Sequence, residues 1–523
     1  MKKITIIVLV LLAVLLVAPW GIGQLAEKRV NSGLDRIVLE ATYLSIVERS
    51  WTRGWFRSEQ QVTFEVVGPW ARAMNPATVL EDFKKAQAGG GEAVKAAEEA
   101  AKAAPADSAP APVAEQPPAA GPDATVPAET PVEVAPPAPV RFTIRNEILH
   151  GPLLWPASLG IARVNTKVDL GPEVRKKIME VFGTDEPVRM STRVGFLGGG
   201  TTRFYGDGRS IKLKDRGGSL EYDDYKLDIS YSGNLDDIEL DGSWPRFVIS
   251  NPEGSKVVVD KATLTSTSER IQGDLYDTDF SFLIDTVRVI DVDKSEAVVE
   301  GIHYVLDTGL DQEFLNVGAK LGSGSVKSKA LEDLKLEVRE VHYDFTVRRL
   351  HAETLAKLST EFKQMYGKPM VTVADMDAVM MAPLKQYGLE LLKYDPEFVF
   401  DRIGLSTPDG DGYIKGVVRL KGVTPQDLEV GFMTLVGKLD VDINIEVAQK
   451  LIEKIPSGAT SAGAAIDAGY LKRDGDKLVS HIEFRKGELK VNGKAQGIPG
   501  LAGPPAAAEG MPPAGEEPLR PQE

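Results

Sequence analysis

Tyr343-Asp344-Phe345-Thr346-Val347 alternates large apolar side chains with polar ones. Because successive side chains of a strand point to opposite faces, this period of two predicts a strand with one apolar and one solvated face. The same alternation recurs between Ala162 and Val347, at Leu220-x-Tyr222, Leu227-x-Ile229-x-Tyr231, Phe280-x-Phe282-x-Ile284 and Leu334-x-Leu336-x-Val338. These stretches predict a sheet built from many amphipathic strands.

The breaks between these stretches are short and rich in turn residues. They include Gly198-Gly199-Gly200, Gly206-Asp207-Gly208 and Asn251-Pro252-Glu253-Gly254. Parallel strands need crossovers of a dozen or more residues, so breaks of this length disfavour a parallel α/β fold. The sequence predicts an α+β, mostly β fold: an extended antiparallel meandering sheet with a few packed helices, preceded by one transmembrane helix.

Helical periodicity is confined to a few stretches. Gly171–Phe182 is a short candidate, and apolar residues from Leu350 to Tyr366 recur at helical spacing before Gly367. A second block covers Ala374–Tyr394, and Val447–Ile455 changes from strand to helical period. We expect these helices to pack against the sheet.

The N-terminus has the features of a membrane anchor. Lys2-Lys3 precedes the uncharged run Ile4–Ala18, and Trp20 follows it. A helix needs about 20 residues to cross a bilayer, which the stretch 4–23 supplies, and the lysines favour a cytoplasmic N-terminus. A cleaved signal peptide is the alternative, although no clean small-x-small cleavage site is present. Either interpretation sends the bulk of the chain across the membrane.

Composition divides the rest of the chain. Ala and Pro fill 30 of the 55 positions of residues 86–140, which contain no Leu, Ile, Met or aromatic residue. Such a stretch cannot bury enough apolar surface to offset the entropy of ordering. The predicted organisation is an anchor at 4–23, the start of a periplasmic domain at 24–85, a disordered insertion at 86–140, an antiparallel β-rich region at 141–349, a helical block at 350–394, a C-terminal β/α region at 395–496 and a disordered tail at 497–523.

Charge and cysteine content exclude several classes of function. The net charge of −15 and the sequence pI near 5.1 argue against nucleic acid as a partner, because phosphate binding needs a basic face. The chain has no cysteine, which excludes disulfides, thiolate metal sites and a cysteine nucleophile.

Three pieces of sequence together resemble the YdgA-like family of bacterial envelope proteins (domain of unknown function 945). They are the N-terminal anchor followed by Tyr43, Trp51, Arg53-Gly54, Phe56 and Ser58; His150-Gly151-Pro152 after a strand; and Gly469-Tyr470-Leu471 with Asp474-Gly475, Phe484, Gly487, Leu489 and Val491-Asn492-Gly493. Trp51 stands where the family usually has Tyr, and the stretch 86–140 looks like an insertion between two strands. The resemblance implies an inner-membrane-anchored periplasmic protein rich in β-structure. It supplies no catalytic residues.

Motifs for catalysis or metal binding are weak. The five histidines form neither His-x-x-x-His nor His-Glu-x-x-His, and no Gly-x-Ser-x-Gly elbow occurs. Asp409-Gly410-Asp411-Gly412 resembles the start of a calcium loop but has Tyr413 and Leu420 at ligand positions, so a hairpin turn is favoured. His150, which precedes Gly151-Pro152, is the residue to watch, with a hydrogen-bonded tight turn as the structural alternative. We expect no catalytic, metal or cofactor-binding residue and no cofactor.

Two functions of different classes remain. The first is a non-enzymatic one: a membrane-anchored periplasmic β-rich protein that binds a lipid or an envelope protein, or serves envelope maintenance. The second is a periplasmic hydrolase that uses dispersed acids and His150. The expected location is the bacterial inner membrane, single-pass, with the N-terminus cytoplasmic and the bulk in the periplasm, or secretion after signal-peptide cleavage. The expected partners are the inner membrane and a lipid or envelope protein, and no nucleic acid.

Overall fold

The structure is a computed structural model. It describes residues 2–67, 71, 140–154, 158–169, 171–213, 217–366, 381–424, 426–427 and 432–497, with residues 2–18 described by their backbone alone. The predicted insertion at 86–140 and tail at 497–523 lie outside these residues, apart from Val140 and Gly497.

The fold is mostly β, a large open antiparallel sheet with few helices (56% strand against 23% helix), as the sequence predicted. The strand pairings are antiparallel throughout both ladders, for example β1 with β2, β13 with β14, β18 with β19 and β21 with β23. The strands are β1 Leu44–Arg53, β2 Arg57–Val66, β3 Val140–His150, β4 Leu153–Leu154, β5 Ser158–Leu159, β6 Ala162–Asp169, β7 Arg189–Val194, β8 Gly200–Gly206, β9 Arg209–Leu213, β10 Gly218–Tyr222, β11 Tyr225–Tyr231, β12 Asp237–Ser250, β13 Lys256–Gln272, β14 Leu275–Ile290, β15 Glu296–Asp311, β16 Phe314–Ser323, β17 Val326–Lys327, β18 Glu340–His351, β19 Glu397–Thr407, β20 Gly410–Leu420, β21 Leu439–Ala448, β22 Lys472–Asp474, β23 Lys477–Arg485, β24 Glu488–Val491 and β25 Lys494–Gln496.

The helices are fewer and mostly short. They are α1 Lys2–Glu40, α2 Pro172–Phe182, α3 Lys329–Asp333, α4 Ala352–Tyr366, a π-helical turn Leu384–Gly388 that runs into α5 Leu389–Leu391 and a 3-10 turn Leu392–Tyr394, then α6 Phe432–Val436, α7 Gln449–Lys454 and α8 Gly458–Asp467. The helices predicted at 171–182, 350–366 and 447–455 are therefore present within a few residues, whereas α3, α6 and α8 were not predicted.

One predicted strand is wrong. Leu334-x-Leu336-x-Val338 alternates, yet α3 ends at Asp333 and Val338 makes an isolated bridge to Val326. Ser328 caps α3 by accepting a hydrogen bond from the amide of Leu331, and Lys335 has φ of 52°, which a strand cannot accommodate. A capped helix followed by a left-handed residue therefore overrides the alternating pattern.

The N-terminal helix is one continuous element that extends beyond the predicted anchor at 4–23. It runs from Lys2 to Glu40. Among the residues whose side chains the structure describes, no helix is both long enough and apolar enough to cross a membrane. The side chains of Ile4–Ala18 lie outside the described residues, so the membrane span gains no support from the structure and stays a prediction.

The chain forms two compact units. The N-terminal unit consists of Met1–Gly206, Ile229–Leu235 and Lys357–Gln386, and the C-terminal unit of Asp207–Asp228, Asp236–Ala356 and Tyr387–Glu523. Each unit is therefore built from three separate stretches of sequence. The domain boundaries drawn from composition stay predictions.

The N-terminal unit is a sheet covered on one face by α1. Its strands pair in the order β1-β2-β3-β6-β7-β8. Burial alternates strictly along the start of β2, so one face meets the helix and the other faces solvent. The core between helix and sheet comprises Ala26, Val30, Ile148, Ile161, Ala162, Val164 and Val194, with a second cluster of Val62, Phe64 and Ile144 against which Leu34 and Val38 pack.

A late stretch of sequence completes this unit. Lys363 of α4 forms an ion pair with Glu40 at the end of α1, and Thr42 donates a hydrogen bond to the carbonyl of Lys363. The N-terminal unit therefore contains contacts between positions more than three hundred residues apart in sequence.

The C-terminal unit is a long meander of hairpins. Its strands pair in the order β9-β10-β12-β13-β14-β15-β16-β18-β19-β20-β21-β23-β24-β25. Pro408 and Asp409 form the turn between β19 and β20 and Gly410 begins β20, so the hairpin alternative to a calcium loop is confirmed. Leu451 of α7 is 4% exposed and is the buried anchor of that helix against β20 and β21.

Candidate functional site

The predicted motif His150-Gly151-Pro152 ends β3 in a tight, hydrogen-bonded turn. The amide of His150 donates to the carbonyl of Phe56 at 2.9 Å, and the amide of Gly151 donates to the carbonyl of Ile161 at 2.7 Å. A Cβ on Gly151 would lie 1.8 Å from the carbonyl oxygen of Gly160, so the approach of the two backbones requires glycine.

The imidazole of His150 contacts a serine that the sequence did not single out as its partner. Nε2 lies 2.9 Å from Oγ of Ser58, and Nδ1 lies 3.1 Å from the carbonyl oxygen of Trp55. A carbonyl accepts only, so Nδ1 carries a hydrogen and Nε2 is left to accept from the serine hydroxyl. A hydroxyl that donates to imidazole is the first half of a nucleophile arrangement.

Burial works against a reaction at this pair. Ser58 is 1% exposed and His150 is 6% exposed. The helix backbone lies directly on the ring, because a Cβ on Gly23 would be 2.6 Å from Cε1 of His150. Little of either side chain is therefore accessible to a substrate.

A separate chain of buried polar side chains lies beneath α1, at the buried positions of the same strands β2 and β3. Thr166 donates to Asn146 at 2.7 Å, Asn146 donates to Gln60 at 2.7 Å, and Gln60 donates to Asn31 of α1 at 2.8 Å. Buried amides and hydroxyls that all find partners fix one arrangement of the elements they join. This network therefore positions α1 on the sheet. The available signal in the sequence was polar residues at the inward positions of three alternating strands, β2, β3 and β6.

A second candidate is the apolar face of the C-terminal sheet. Residues directly opposite each other in an antiparallel ladder point to the same face. The register places one apolar side chain per strand in a row that crosses eight neighbouring strands, namely Leu264, Phe282, Tyr304, Leu321, Tyr343, Ile403, Ile414 and Ile445. We call this set the central row. At a strand spacing of about 4.8 Å it is roughly 34 Å long.

Further rows flank the central row on the same face. One contains Phe280, Leu306, Ala319, Phe345, Phe400, Ile443 and Ile482. Aromatic rings pack within it and beside it: Phe345 stacks on Phe398 at 5.8 Å between ring centroids, and Phe398 meets Phe400 edge-on at 5.0 Å. These contacts make the face continuous along and across the strands.

The central row is partly open to solvent. Leu321 is 47% exposed, Tyr343 opposite it is 50% exposed, and Ile414 is 36% exposed. A contiguous exposed apolar patch on a folded protein marks a binding surface more often than chance. The face therefore offers a place for an apolar chain to lie across the strands.

The family model described as a bacterial protein of unknown function (DUF945) matches residues 1–496. The chain belongs to the DUF945 family. This confirms the domain of unknown function 945 that the three pieces of sequence indicated. No curated protein and no solved structure matches the chain.

The C-terminal motif of this DUF945 chain is held together by one asparagine. Asn492 donates through Nδ2 to the carbonyls of Gly469 and Tyr470 at 3.0 and 3.1 Å. Its Oδ1 accepts from the amide of His481 at 3.0 Å. Asn492 has φ of 54°, a conformation that asparagine tolerates better than most residues. These three hydrogen bonds connect the separate pieces of the motif, so its residues have a structural role.

The solvated face of the same DUF945 sheet carries a cluster with the donor types of a metal site. The ligand atoms of Asp442, His481 and Glu483 lie within 4.8 Å of one another. Arg485 already pairs with Asp442 at 3.3 Å and with Glu483 at 3.5 Å. Its positive charge therefore neutralises the carboxylates that would have to bind a metal cation. Nearby, a hydrogen bond from Lys421 to Asp440 lowers the pKa of the Asp440 carboxyl. Ion pairing is sufficient to account for the cluster.

Proposed function

We propose that this DUF945 protein is a membrane-tethered envelope protein that binds an acyl chain on the central row of its C-terminal sheet and catalyses no reaction. The observation that carries the proposal is the open apolar face, with Leu321 and Tyr343 about half exposed at its middle. Acyl chains gain about 0.8 kcal/mol for each methylene removed from water, so a surface of this kind suits them. The binding role, the ligand class and the absence of catalysis are all parts of the proposal.

The sequence supports the tether. Residues 4–18 are uncharged and follow two lysines, which favours a single-pass inner-membrane protein with a cytoplasmic N-terminus and its bulk in the periplasm. Signal-peptide cleavage and secretion is the alternative. In either case the partners we propose are the inner membrane and its lipids or an envelope protein, and the acidic charge disfavours nucleic acid.

A charge on the central row should abolish acyl binding. We expect Leu321→Asp to reduce photocrosslinking of a diazirine fatty acid to β16 and β18 roughly tenfold, because a carboxylate against an acyl chain costs about 1–3 kcal/mol or more. The full chain is reconstituted in nanodiscs and the adducts are assigned to peptides by mass spectrometry, which separates this surface from lipid around the anchor.

Leu283→Asp is the matched control for this experiment. Leu283 is 43% exposed on β14, and its neighbours Thr263 and His303 place it on the opposite face from Phe282. It should leave the crosslinking unchanged. Equal losses in the two variants, or no adducts on the central row in the unmodified chain, would contradict the proposed ligand.

The hydrolase is a second proposal, and the Ser58–His150 contact is what favours it. Ser58→Ala removes the hydroxyl and should abolish turnover of an ester by the full chain if that pair acts as nucleophile and base. Because both residues are buried, we expect no turnover by the unmodified chain and hence no difference between the two. Ester hydrolysis that disappears in Ser58→Ala and persists in Ser45→Ala would establish the hydrolase and overturn the binding proposal.

A further inference from the structure

The register of the N-terminal sheet gathers several turns at one end. Arg57 lies opposite Leu149, His150 opposite Ala162, and Val194 opposite both Ala162 and Gly200. The β1–β2 turn, the β4–β5 hairpin and the β7–β8 turn therefore all lie at the same end of the sheet.

Each of these turns exposes large apolar side chains. Hairpin turns are ordinarily built from small and polar residues. Here the six residues that we call the apolar rim are Trp55, Phe56, Leu153, Leu159, Phe196 and Leu197, with exposures of 51, 54, 64, 66, 49 and 92%. Six such residues at one end of one sheet exceed the scattered exposure expected of a protein surface.

The N-terminal helix leaves the sheet at this same end. Gly23 lies on the ring of His150 at the rim, whereas Leu34 and Val38 pack further along the sheet near Val62 and Ile144. The residues before Gly23 therefore continue past the rim. From Lys2 to Pro19 that continuation is about 27 Å long at 1.5 Å per residue.

Trp20 joins the helix to the rim. Its ring lies 6.4 Å from the ring of Trp55 between centroids, and it is 45% exposed. Trp20 directly follows the apolar run 4–18 and Pro19, so Trp55 and its neighbours lie level with the end of that run.

We propose that the apolar rim docks into the interfacial layer of a lipid bilayer, so that the N-terminal unit sits directly on the membrane surface. This rests on the membrane tether of the proposed function. Tryptophan and other large apolar side chains favour the boundary between headgroups and acyl chains, where they bury to a depth of about 5–10 Å. Because the rim lies level with the end of the apolar run, we infer that its partner is lipid and not another protein.

Site-directed spin labelling tests this proposal cleanly because the chain has no cysteine. The full chain is reconstituted in nanodiscs with single labels at Phe56→Cys and Leu197→Cys. Met179→Cys is the matched control, since Met179 is 46% exposed on α2, which follows the far end of β6. Leu11→Cys reports whether the apolar run itself lies in lipid. Power saturation compares collisions with oxygen and with a water-soluble nickel chelate.

We expect the ratio of oxygen to nickel accessibility at Phe56→Cys and Leu197→Cys to exceed the ratio at Met179→Cys several-fold. Labels at the rim that match Met179→Cys, while Leu11→Cys lies in lipid, would overturn the docking and leave the tether intact. A water-accessible Leu11→Cys would overturn the tether and the docking together. Protection from both reagents with dipolar broadening between labels would assign the rim to a second copy of the chain and overturn the lipid assignment.

Discussion

Replacing Gly23 with alanine is expected to weaken the attachment of α1 to its sheet by about 1–3 kcal/mol, the usual cost of overpacking. The new Cβ would lie 2.6 Å from Cε1 and 2.7 Å from Nδ1 of His150. The ring cannot simply turn away, because Ser58 and the carbonyl of Trp55 hold both of its nitrogens. Either the helix lifts or these hydrogen bonds break. Hydrogen exchange of the amides of residues 24–40 measures the change.

Gly33→Ala provides a control of the same substitution in the same helix. No heavy atom lies within 4 Å of the position that its Cβ would occupy. Because alanine favours a helix over glycine by up to about 1 kcal/mol, we expect this variant to slow exchange. Slower exchange in both variants would show that intrinsic helicity, and not the contact with His150, controls the docking of α1.

Ile148→Ala should be the most destabilising substitution among those we consider. Ile148 is fully buried between α1 and the sheet, in the cluster with Ala26 and Val30. Truncating a buried isoleucine to alanine loses transfer free energy and leaves a cavity, at a cost of about 2–5 kcal/mol. Urea unfolding followed by hydrogen exchange in β3 measures the loss.

Ile37→Ala is the corresponding control. Ile37 lies on α1 but is 50% exposed, so we expect a change within about 0.5 kcal/mol. If Ile37→Ala were as costly as Ile148→Ala, the core would not lie where the structure places it.

The sequence predicted the fold class because the alternating pattern is local. Strands such as Tyr225–Tyr231 and Glu340–His351 carry the period of two in their own residues, and turn residues such as Asn251-Pro252 mark the break between β12 and β13. The pattern failed at Leu334-x-Leu336-x-Val338, where the cap at Ser328 decided the local structure. Hydrophobic periodicity carries no information about such a cap, because the cap depends on one side chain and one backbone amide.

The candidate sites were harder to predict because they depend on register. His150 was identified from its place before Gly151-Pro152, but its contact with Ser58 requires knowing how β2 pairs with β3. The alternation likewise predicted that each strand has an apolar face. It could not show whether a helix covers that face, because burial of Leu321 and Tyr343 depends on elements far away in sequence.

The N-terminal unit is built from three separate stretches of sequence, so it cannot fold completely until the last of them has been synthesised. That stretch, Lys357–Gln386, is completed 180 residues after Gly206. At about 5–20 residues per second the ribosome needs roughly 10–40 s to span that interval. During this delay the first two hundred residues lack the partner that pairs with Glu40, while about half of the other unit is being made. Biogenesis therefore has to protect a unit whose strands β1 to β8 are already made but whose last segment has not yet been synthesised.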